Sequence, residues 1–125
     1  MKRLEIAETG NTPHILFDAD SQIFIIEGKS FPEDSKEFYT RVIKWMDDFI
    51  ATKPKTFVLK INLFYLSSSS IISIKQLLLK IASMKLDGTD TKLFWHYDDD
   101  DEDIKKTGED YQNLTKLKFD FVIND

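Results

Sequence analysis

The sequence predicts an α/β fold (an α+β sandwich) in which a single mixed β-sheet carries helices packed on it. Apolar residues recur at helical spacing in two long segments, 33–51 and 71–84, and shorter segments around them have the apolar pattern of strands. The connection between a long strand at 56–66 and a strand at 92–97 is long enough for a right-handed parallel βαβ unit. With 125 residues, one domain spanning 1–125 is expected.

Three strands open the chain. Apolar segments predict the first at Leu4–Ala7, the second at His14–Phe17 and the third at Gln22–Glu27. The Asp/Ser-rich turn at Asp18–Ser21 separates the second from the third and is typical of a hairpin. Gly28 is expected to end the third strand.

A helix is predicted from about residue 33 to residue 51. Ser30 would supply the capping hydroxyl, while Pro32 and Glu33 suit a first helical turn. Lys53-Pro54 is expected to end the helix. Two adjacent apolar rows mark the face that packs on the sheet: Phe38, Val42, Trp45 and Phe49, and beside them Tyr39, Ile43, Met46 and Ile50.

The longest strand is predicted at Thr56–Leu66. Apolar residues occupy both of its faces, so we expect a central strand with a layer of structure on each side. Four serines, Ser67–Ser70, lead into a second helix that ends near Asp87-Gly88. Its apolar residues are Ile71, Ile72, Ile74, Leu77, Leu78, Ile81 and Met84.

The last part of the chain predicts a strand, a helix and an edge strand. The strand lies at Lys92–Tyr97, and the acidic run Asp98–Asp103 opens a weaker third helix. Leu117–Ile123 alternates and is expected to form an edge strand. The predicted order is therefore β-β-β-α-β-α-β-α-β.

Composition narrows the function classes. The chain has no cysteine, which excludes disulfides, thiol catalysis and cysteine-bound metal sites, and its two histidines do not suggest a metal site. The chain has 17 basic and 22 acidic residues, and the acidic run accounts for the excess of acidic residues. The sequence therefore indicates no basic surface of the kind that binds nucleic acids. Neither a bilayer-spanning run nor a signal peptide is evident, so a cytoplasmic location is expected.

The serine run, Ser67–Ser70, is the first candidate site because it lies where a long strand gives way to a helix. Hydroxyls at such a turn cap unpaired N–H groups, which explains one or two serines. Phosphorylation is the second interpretation, since a helix N-terminus favours a phosphate. Catalysis is the third, but the sequence supplies no obvious base near Ser30 or Ser67 and lacks the nucleophile-elbow motif.

Two further features leave alternatives open. The acidic run Asp98–Asp103 could bind a cation, contact a partner, or simply complement the dipole of the third helix. The aromatic residues fall mostly at core spacing, but a pocket lined by Phe94, Trp95 or Phe119 would indicate a small-ligand-binding domain.

Taken in order, several short motifs resemble the SiaC-type biofilm-regulation phosphoproteins. They are Thr12–Asp18, Gly28–Glu33, Phe38-Tyr39 with Trp45, Phe64–Ser70, and Trp95-His96-Tyr97 followed by Asp101–Asp103 and Gly108. Phe64–Ser70 lies where that family has a Tyr-x-Asn-Thr-Ser-Ser signature. The resemblance covers nearly the whole chain, and the order and spacing of the motifs make it specific.

The resemblance implies a non-enzymatic bacterial signalling protein without a cofactor, similar in fold to the STAS domains of anti-anti-sigma factors. In that family a GHKL-type protein kinase phosphorylates a threonine at the strand-to-helix turn, and a PP2C-like phosphatase removes the phosphate. The unmodified form is implied to bind and activate a diguanylate cyclase, which raises cyclic di-GMP. A small-ligand-binding STAS-like domain is the alternative function.

Carried over to this sequence, the acceptor threonine is assigned to Ser67, with Ser68 as the second candidate. No catalytic or metal-binding residue is expected. The partner-binding surface is expected to comprise Ser67, Ser68, Ser69, Ser70, Gly28, Ser30, Pro32 and Glu33.

Overall fold

A computed structural model describes all 125 residues of the chain as six strands and three helices. The strands are β1 (Leu4–Ile6), β2 (His14–Asp18), β3 (Ile23–Ser30), β4 (Thr56–Leu66), β5 (Asp90–Tyr97) and β6 (Phe119–Ile123). The helices are α1 (Ser35–Ala51), α2 (Ser68–Leu86) and α3 (Glu102–Thr115). The predicted order of elements and the single mixed sheet are both confirmed.

The strands lie in the sheet in the same order as in the chain, from β1 to β6. The first three are antiparallel neighbours, whereas β3, β4, β5 and β6 run parallel. The predicted parallel βαβ unit and the edge position of β6 are therefore confirmed. Each helix crosses over from one strand to the next in the same direction, and right-handed crossovers of that kind place all helices on one face.

The core lies between that face of the sheet and the helix layer. Alternate residues of β4 are buried there, and an aromatic cluster joins the sheet to α1. Phe24 of β3 lies 4.7 Å from Phe57 of β4 between ring centroids, and Trp45 stacks on Phe49 within α1 at 5.3 Å. None of the three helices combines the length and apolar character needed to cross a bilayer.

The second face of the sheet is open, so the predicted layer on each side of β4 is wrong. Val58 and Phe64, which point to this face, are 45% and 47% exposed. Lys60 and Asn62 alternate with them and are half-buried by their neighbours on the sheet. Apolar residues on both faces of a strand therefore did not require two helix layers here, because all three crossovers cover the same face.

The start of α1 also differs from the prediction. β3 does not end at Gly28, because this residue has a φ of +118° and a β-bulge between Gly28 and Lys29 lets the strand continue to Ser30. Ser30 is consequently a buried strand residue rather than a helix cap. The cap is Asp34, whose carboxylate accepts a hydrogen bond from the Glu37 N–H at 3.0 Å.

Candidate functional site

The serine run lies at the end of the sheet where β3 and β4 both terminate. The Ser67 N–H donates to the Ser30 carbonyl at 2.9 Å and ties the two strand ends together. α2 begins directly after Ser67, and α1 begins after Asp34. The N-termini of both helices therefore meet at this edge.

Ser67 is the N-cap of α2, which confirms the capping interpretation for one serine of the run. Its backbone is extended, and its Oγ accepts a hydrogen bond from the Ser70 N–H at 3.2 Å. Ser67 is half-buried, while Ser68 and Ser69 are exposed on the first turn of α2. Ser70 is completely buried. The four serines thus occupy three different environments.

A chain of buried hydroxyls extends from this turn into the protein. Ser70 Oγ lies 3.0 Å from Ser67 Oγ and 2.8 Å from Ser30 Oγ. Ser30 Oγ in turn lies 2.6 Å from the Tyr39 hydroxyl of α1. Burial raises the pKa of Tyr39 to about 12, so this hydroxyl stays neutral at physiological pH. The chain is therefore an uncharged link between the serine turn and α1.

The structure divides the predicted partner-binding residues into two groups. Ser67, Ser68 and Ser69 reach the surface, as do the half-buried Pro32 and the exposed Glu33. Ser30 and Ser70 are fully buried, so they cannot belong to a docking surface in this conformation. Gly28 is buried as well, and a Cβ at this position would lie 2.5 Å from the side-chain oxygen Glu8 Oε2.

Sequence reasoning missed an exposed aromatic pair beside the serine turn. Phe31 follows β3 directly, and Tyr65 is the second-last residue of β4. Strand alternation places Tyr65 on the same side of β4 as the buried Phe57, yet Tyr65 is 52% exposed. The position of Tyr65 at the end of β4, next to the serine turn, was the sequence signal that could have indicated its exposure.

The exposed residue Ile72 lies one helical turn beyond Ser68, although the sequence assigned it to the apolar face of α2. It shares a shallow groove with Ser69, Lys36 and Gln76, between the N-terminal turns of α1 and α2. The serine turn is therefore bordered by exposed apolar side chains on the α2 side as well as at the strand ends.

The end of the acidic run lies at the N-terminus of α3. Asp101 is the N-cap, and its carboxylate accepts a hydrogen bond from the Ile104 N–H at 3.0 Å. Glu102 and Asp103 lie in the first helical turn, where acidic side chains complement the helix dipole. No group of three or more His, Asp or Glu side chains is arranged to hold a metal ion.

The two other functional alternatives gain no support from the geometry. Trp95 and Phe119 stack in the core, and the Trp95 Nε1–H donates to the Ile104 carbonyl at 3.0 Å, so they do not line an open pocket. The side-chain partners of Ser30 and Ser67 are other hydroxyls and a backbone N–H. Neither serine contacts a group that could act as a general base.

The model of the SiaC family of regulatory phosphoproteins matches residues 6–124 of this chain. An uncharacterized protein of Pseudomonas aeruginosa (strain UCBPP-PA14) is 30% identical over 125 residues, which covers 100% of this chain and 99% of the relative. The crystal structure of apo-SiaC from Pseudomonas aeruginosa is 29% identical with a TM-score of 0.89, covering 98% of this chain and 99% of that one.

A second solved structure contains a partner. It shows the diguanylate cyclase SiaD in complex with its activator SiaC from Pseudomonas aeruginosa, and its matching chain is 29% identical with a TM-score of 0.90. The match covers 97% of this chain and 99% of that chain. The likeness thus extends over the full length of the fold described above.

Proposed function

The chain belongs to the SiaC family of regulatory phosphoproteins, and from this premise we propose that reversible phosphorylation of Ser68 controls its binding to a diguanylate cyclase. Binding of the unmodified form would activate the cyclase and raise cyclic di-GMP. The complex of SiaC with the cyclase SiaD in Pseudomonas aeruginosa supports the choice of partner class. The role needs no catalytic residue in this chain, which would act in the cytoplasm as a single STAS-like domain.

The exposed hydroxyl of Ser68 is the observation that carries this proposal. Ser68 is the first residue of α2, is exposed, and makes no side-chain hydrogen bond within the protein. Ser67 is half-buried and its Oγ already contacts the N–H and the hydroxyl of Ser70. A kinase would therefore have to break the helix cap to modify Ser67, but could modify Ser68 without disturbing the fold.

The family signature favours the same residue. Counted from Tyr65, the pattern Tyr-x-Asn-Thr-Ser-Ser aligns its threonine with Ser68, one residue beyond Ser67. The exposure of Ser68 and the register of the signature therefore both favour Ser68, the second of the two acceptor candidates. Ser69 is exposed as well, but its Oγ lies 3.3 Å from Ser67 Oγ.

The transfer itself would use a GHKL-type kinase and ATP. The Ser68 Oγ forms a bond to the γ-phosphorus of ATP, the bond from that phosphorus to the bridging oxygen breaks, ADP leaves, and the hydroxyl proton passes to a base on the kinase. A PP2C-like phosphatase would return Ser68 and inorganic phosphate by hydrolysis. The N-terminus of α2 favours the added negative charge, so phosphorylation need not unfold the turn.

The phosphate would act by opposing the docking of the cyclase. Phe31, Tyr65 and Ile72 are exposed around the turn and suit an apolar contact. A partner that covers this surface would have to desolvate a phosphate with about −1.5 to −2 charges. Burying such a group unpaired costs several kcal/mol, and each 1.4 kcal/mol is about tenfold in affinity.

The proposal is tested with purified protein, the cognate kinase and the cyclase. We expect ATP-dependent addition of one phosphate, located on Ser68 by mass spectrometry and absent in Ser68→Ala, while Ser67→Ala still accepts it. Ser68→Asp should bind the cyclase more weakly than the wild type, with nearly unchanged thermal stability. Modification of Ser68→Ala at the wild-type rate, or equal cyclase binding by phosphorylated and unmodified protein, would overturn the proposal.

A further inference from the structure

We infer that Ser70 is a positioning residue for the acceptor turn: its buried hydroxyl holds Ser68 in the conformation that the kinase recognises. This inference rests on the function proposed above. Ser70 follows Ser68 by two residues in the first turn of α2 and is completely buried. It can therefore affect phosphorylation only through the groups that it contacts.

Ser70 connects three elements that begin or end at the serine turn. Its Oγ lies 3.0 Å from Ser67 Oγ at the cap of α2 and 2.8 Å from Ser30 Oγ at the end of β3. A longer contact of 3.5 Å reaches Ser35 Oγ at the first residue of α1. Its own N–H donates to Ser67 Oγ, so both polar groups of Ser70 hold the residue that directly precedes Ser68.

The network continues beyond Ser70 on both sides. Ser30 Oγ reaches the Tyr39 hydroxyl at 2.6 Å, and Ser35 Oγ reaches Ser73 Oγ at 3.2 Å. Every hydroxyl in it has a partner, since the one buried side-chain oxygen without a partner belongs to Thr91. A buried network of this kind fixes one arrangement of its members, because an unmade hydrogen bond there is costly.

The main-chain hydrogen bond from the Ser67 N–H to the Ser30 carbonyl, at 2.9 Å, lies beside the side-chain contact between Ser70 Oγ and Ser30 Oγ. Removing the Ser70 hydroxyl leaves that main-chain bond without the side-chain contact that supports it. Ser30 Oγ keeps its hydrogen bond with the Tyr39 hydroxyl, and Ser35 Oγ keeps its hydrogen bond with Ser73 Oγ. Neither buried hydroxyl therefore loses its last partner. The expected result is a folded protein whose acceptor turn opens more often.

The experiment compares Ser70→Ala with Ser73→Ala. Ser73 is a buried serine of the same helix, and its hydroxyl reaches Ser70 only through Ser35 and the long 3.5 Å contact, which makes it a matched control. In Ser70→Ala the amides of Ser67, Ser70 and Ile71 should exchange hydrogen about tenfold faster by NMR, the factor that corresponds to the loss of one hydrogen bond. Phosphoryl transfer to Ser68 should slow at a temperature where both variants are fully folded, whereas Ser73→Ala should match the wild type in both measurements.

A second variant, Tyr39→Phe, removes only the hydroxyl at the other end of the network and keeps the ring in place. It should also speed exchange at Ser67 and Ser70, although Tyr39 lies on α1. Unchanged amide exchange at the turn in both Ser70→Ala and Tyr39→Phe would overturn the inference. If Ser70→Ala does not fold, unchanged exchange in Tyr39→Phe is sufficient to overturn it. If the wild-type protein accepts no phosphate, the proposed function fails, while the exchange data still show whether Ser70 orders the turn.

Discussion

Phe31 and Tyr65 pack edge to face, with ring centroids 5.4 Å apart and ring planes at 84°. The two residues lie where β3 and β4 end, and they are 40% and 52% exposed. Two large aromatic side chains exposed together beside the proposed acceptor turn are typical of an interface anchor, because aromatic residues carry much of the binding energy of protein interfaces.

We predict that Phe31→Ala and Tyr65→Ala each weaken binding of the unmodified protein to the cyclase by about tenfold or more, because truncating an interface residue that contributes to binding costs more than about 1 kcal/mol. Stability should change less than on truncation of a core residue, because both rings are partly exposed. Titration calorimetry measures the affinity, and thermal unfolding measures the stability.

Val58→Ala is the control for this prediction. Val58 is exposed to a similar degree, but it lies on the open face of the sheet near the opposite end of β4. Its truncation should leave cyclase binding unchanged. If Val58→Ala weakens binding while Phe31→Ala does not, the cyclase docks on the open sheet face instead.

The order of elements and the cap at Ser67 could be predicted because they depend on local patterns. Apolar spacing marks a helix or strand wherever it occurs, and a serine between a strand and a helix is a capping residue by its chemistry alone. The same local signal failed at Ser30, where a glycine bulge carried the strand past its expected end. Nothing in the spacing around Ser30 reveals that bulge.

The buried hydroxyl network and the open sheet face could not be predicted because both depend on which elements become neighbours. Ser30 and Ser70 are 40 residues apart and meet only because β3 and β4 pair in parallel. Val58 and Phe64 resemble residues of a covered strand, yet they are exposed because all three crossovers lie on the other face. Tertiary topology decides both features, and apolar periodicity carries no information about it.

Gly108 is predicted to be essential for the packing of α3. A Cβ at this buried position would lie 2.5 Å from Trp95 Nε1, which is itself bonded to the Ile104 carbonyl. Gly108→Ala should therefore lower the free energy of unfolding by about 1–3 kcal/mol through overpacking. Urea denaturation followed by tryptophan fluorescence measures the change.

Gly10→Ala is the matched substitution, because nothing lies within 4 Å of a Cβ at that position. It should leave the free energy of unfolding within about 0.5 kcal/mol of the wild type. Equal stability of Gly10→Ala and Gly108→Ala would mean that α3 can move away from Trp95 at no cost.

The two histidines are predicted to titrate on opposite sides of the ordinary value of 6.5. Burial alone would lower the pKa of His14, but its hydrogen bonds with Glu27 and Glu5, each 3.3 Å long, outweigh burial and raise it. Burial and, to a smaller extent, the charge of Lys60 lower the pKa of His96, although its hydrogen bond with Asn124 opposes this shift. NMR titration of the imidazole C–H signals measures both midpoints.

The two shifts make opposite contributions to stability. His14 binds its proton more tightly in the folded state, so its stabilisation is complete below the unfolded pKa and is lost as pH rises through the folded pKa. His96 binds its proton less tightly when folded, so it destabilises the fold as pH falls below about 6.5. In His14→Gln the loss of stability on raising the pH should shrink, and in His96→Gln the loss on lowering it should shrink; the reverse pattern would contradict the assignment.

Ser67 and Ser68 are predicted to respond differently to the same substitution, because only Ser67 has a structural role. Ser67→Ala removes the oxygen that accepts the Ser70 N–H and should lower the free energy of unfolding by about 1 kcal/mol. Ser68→Ala removes an exposed hydroxyl that makes no hydrogen bond within the protein, and alanine is the better helix former, so its stability should stay within about 0.5 kcal/mol of the wild type. Ser67→Asp should retain the cap, since aspartate is as good a cap as serine. Chemical denaturation of the three variants separates the structural hydroxyl from the proposed acceptor, and a larger loss in Ser68→Ala than in Ser67→Ala would reverse the two roles.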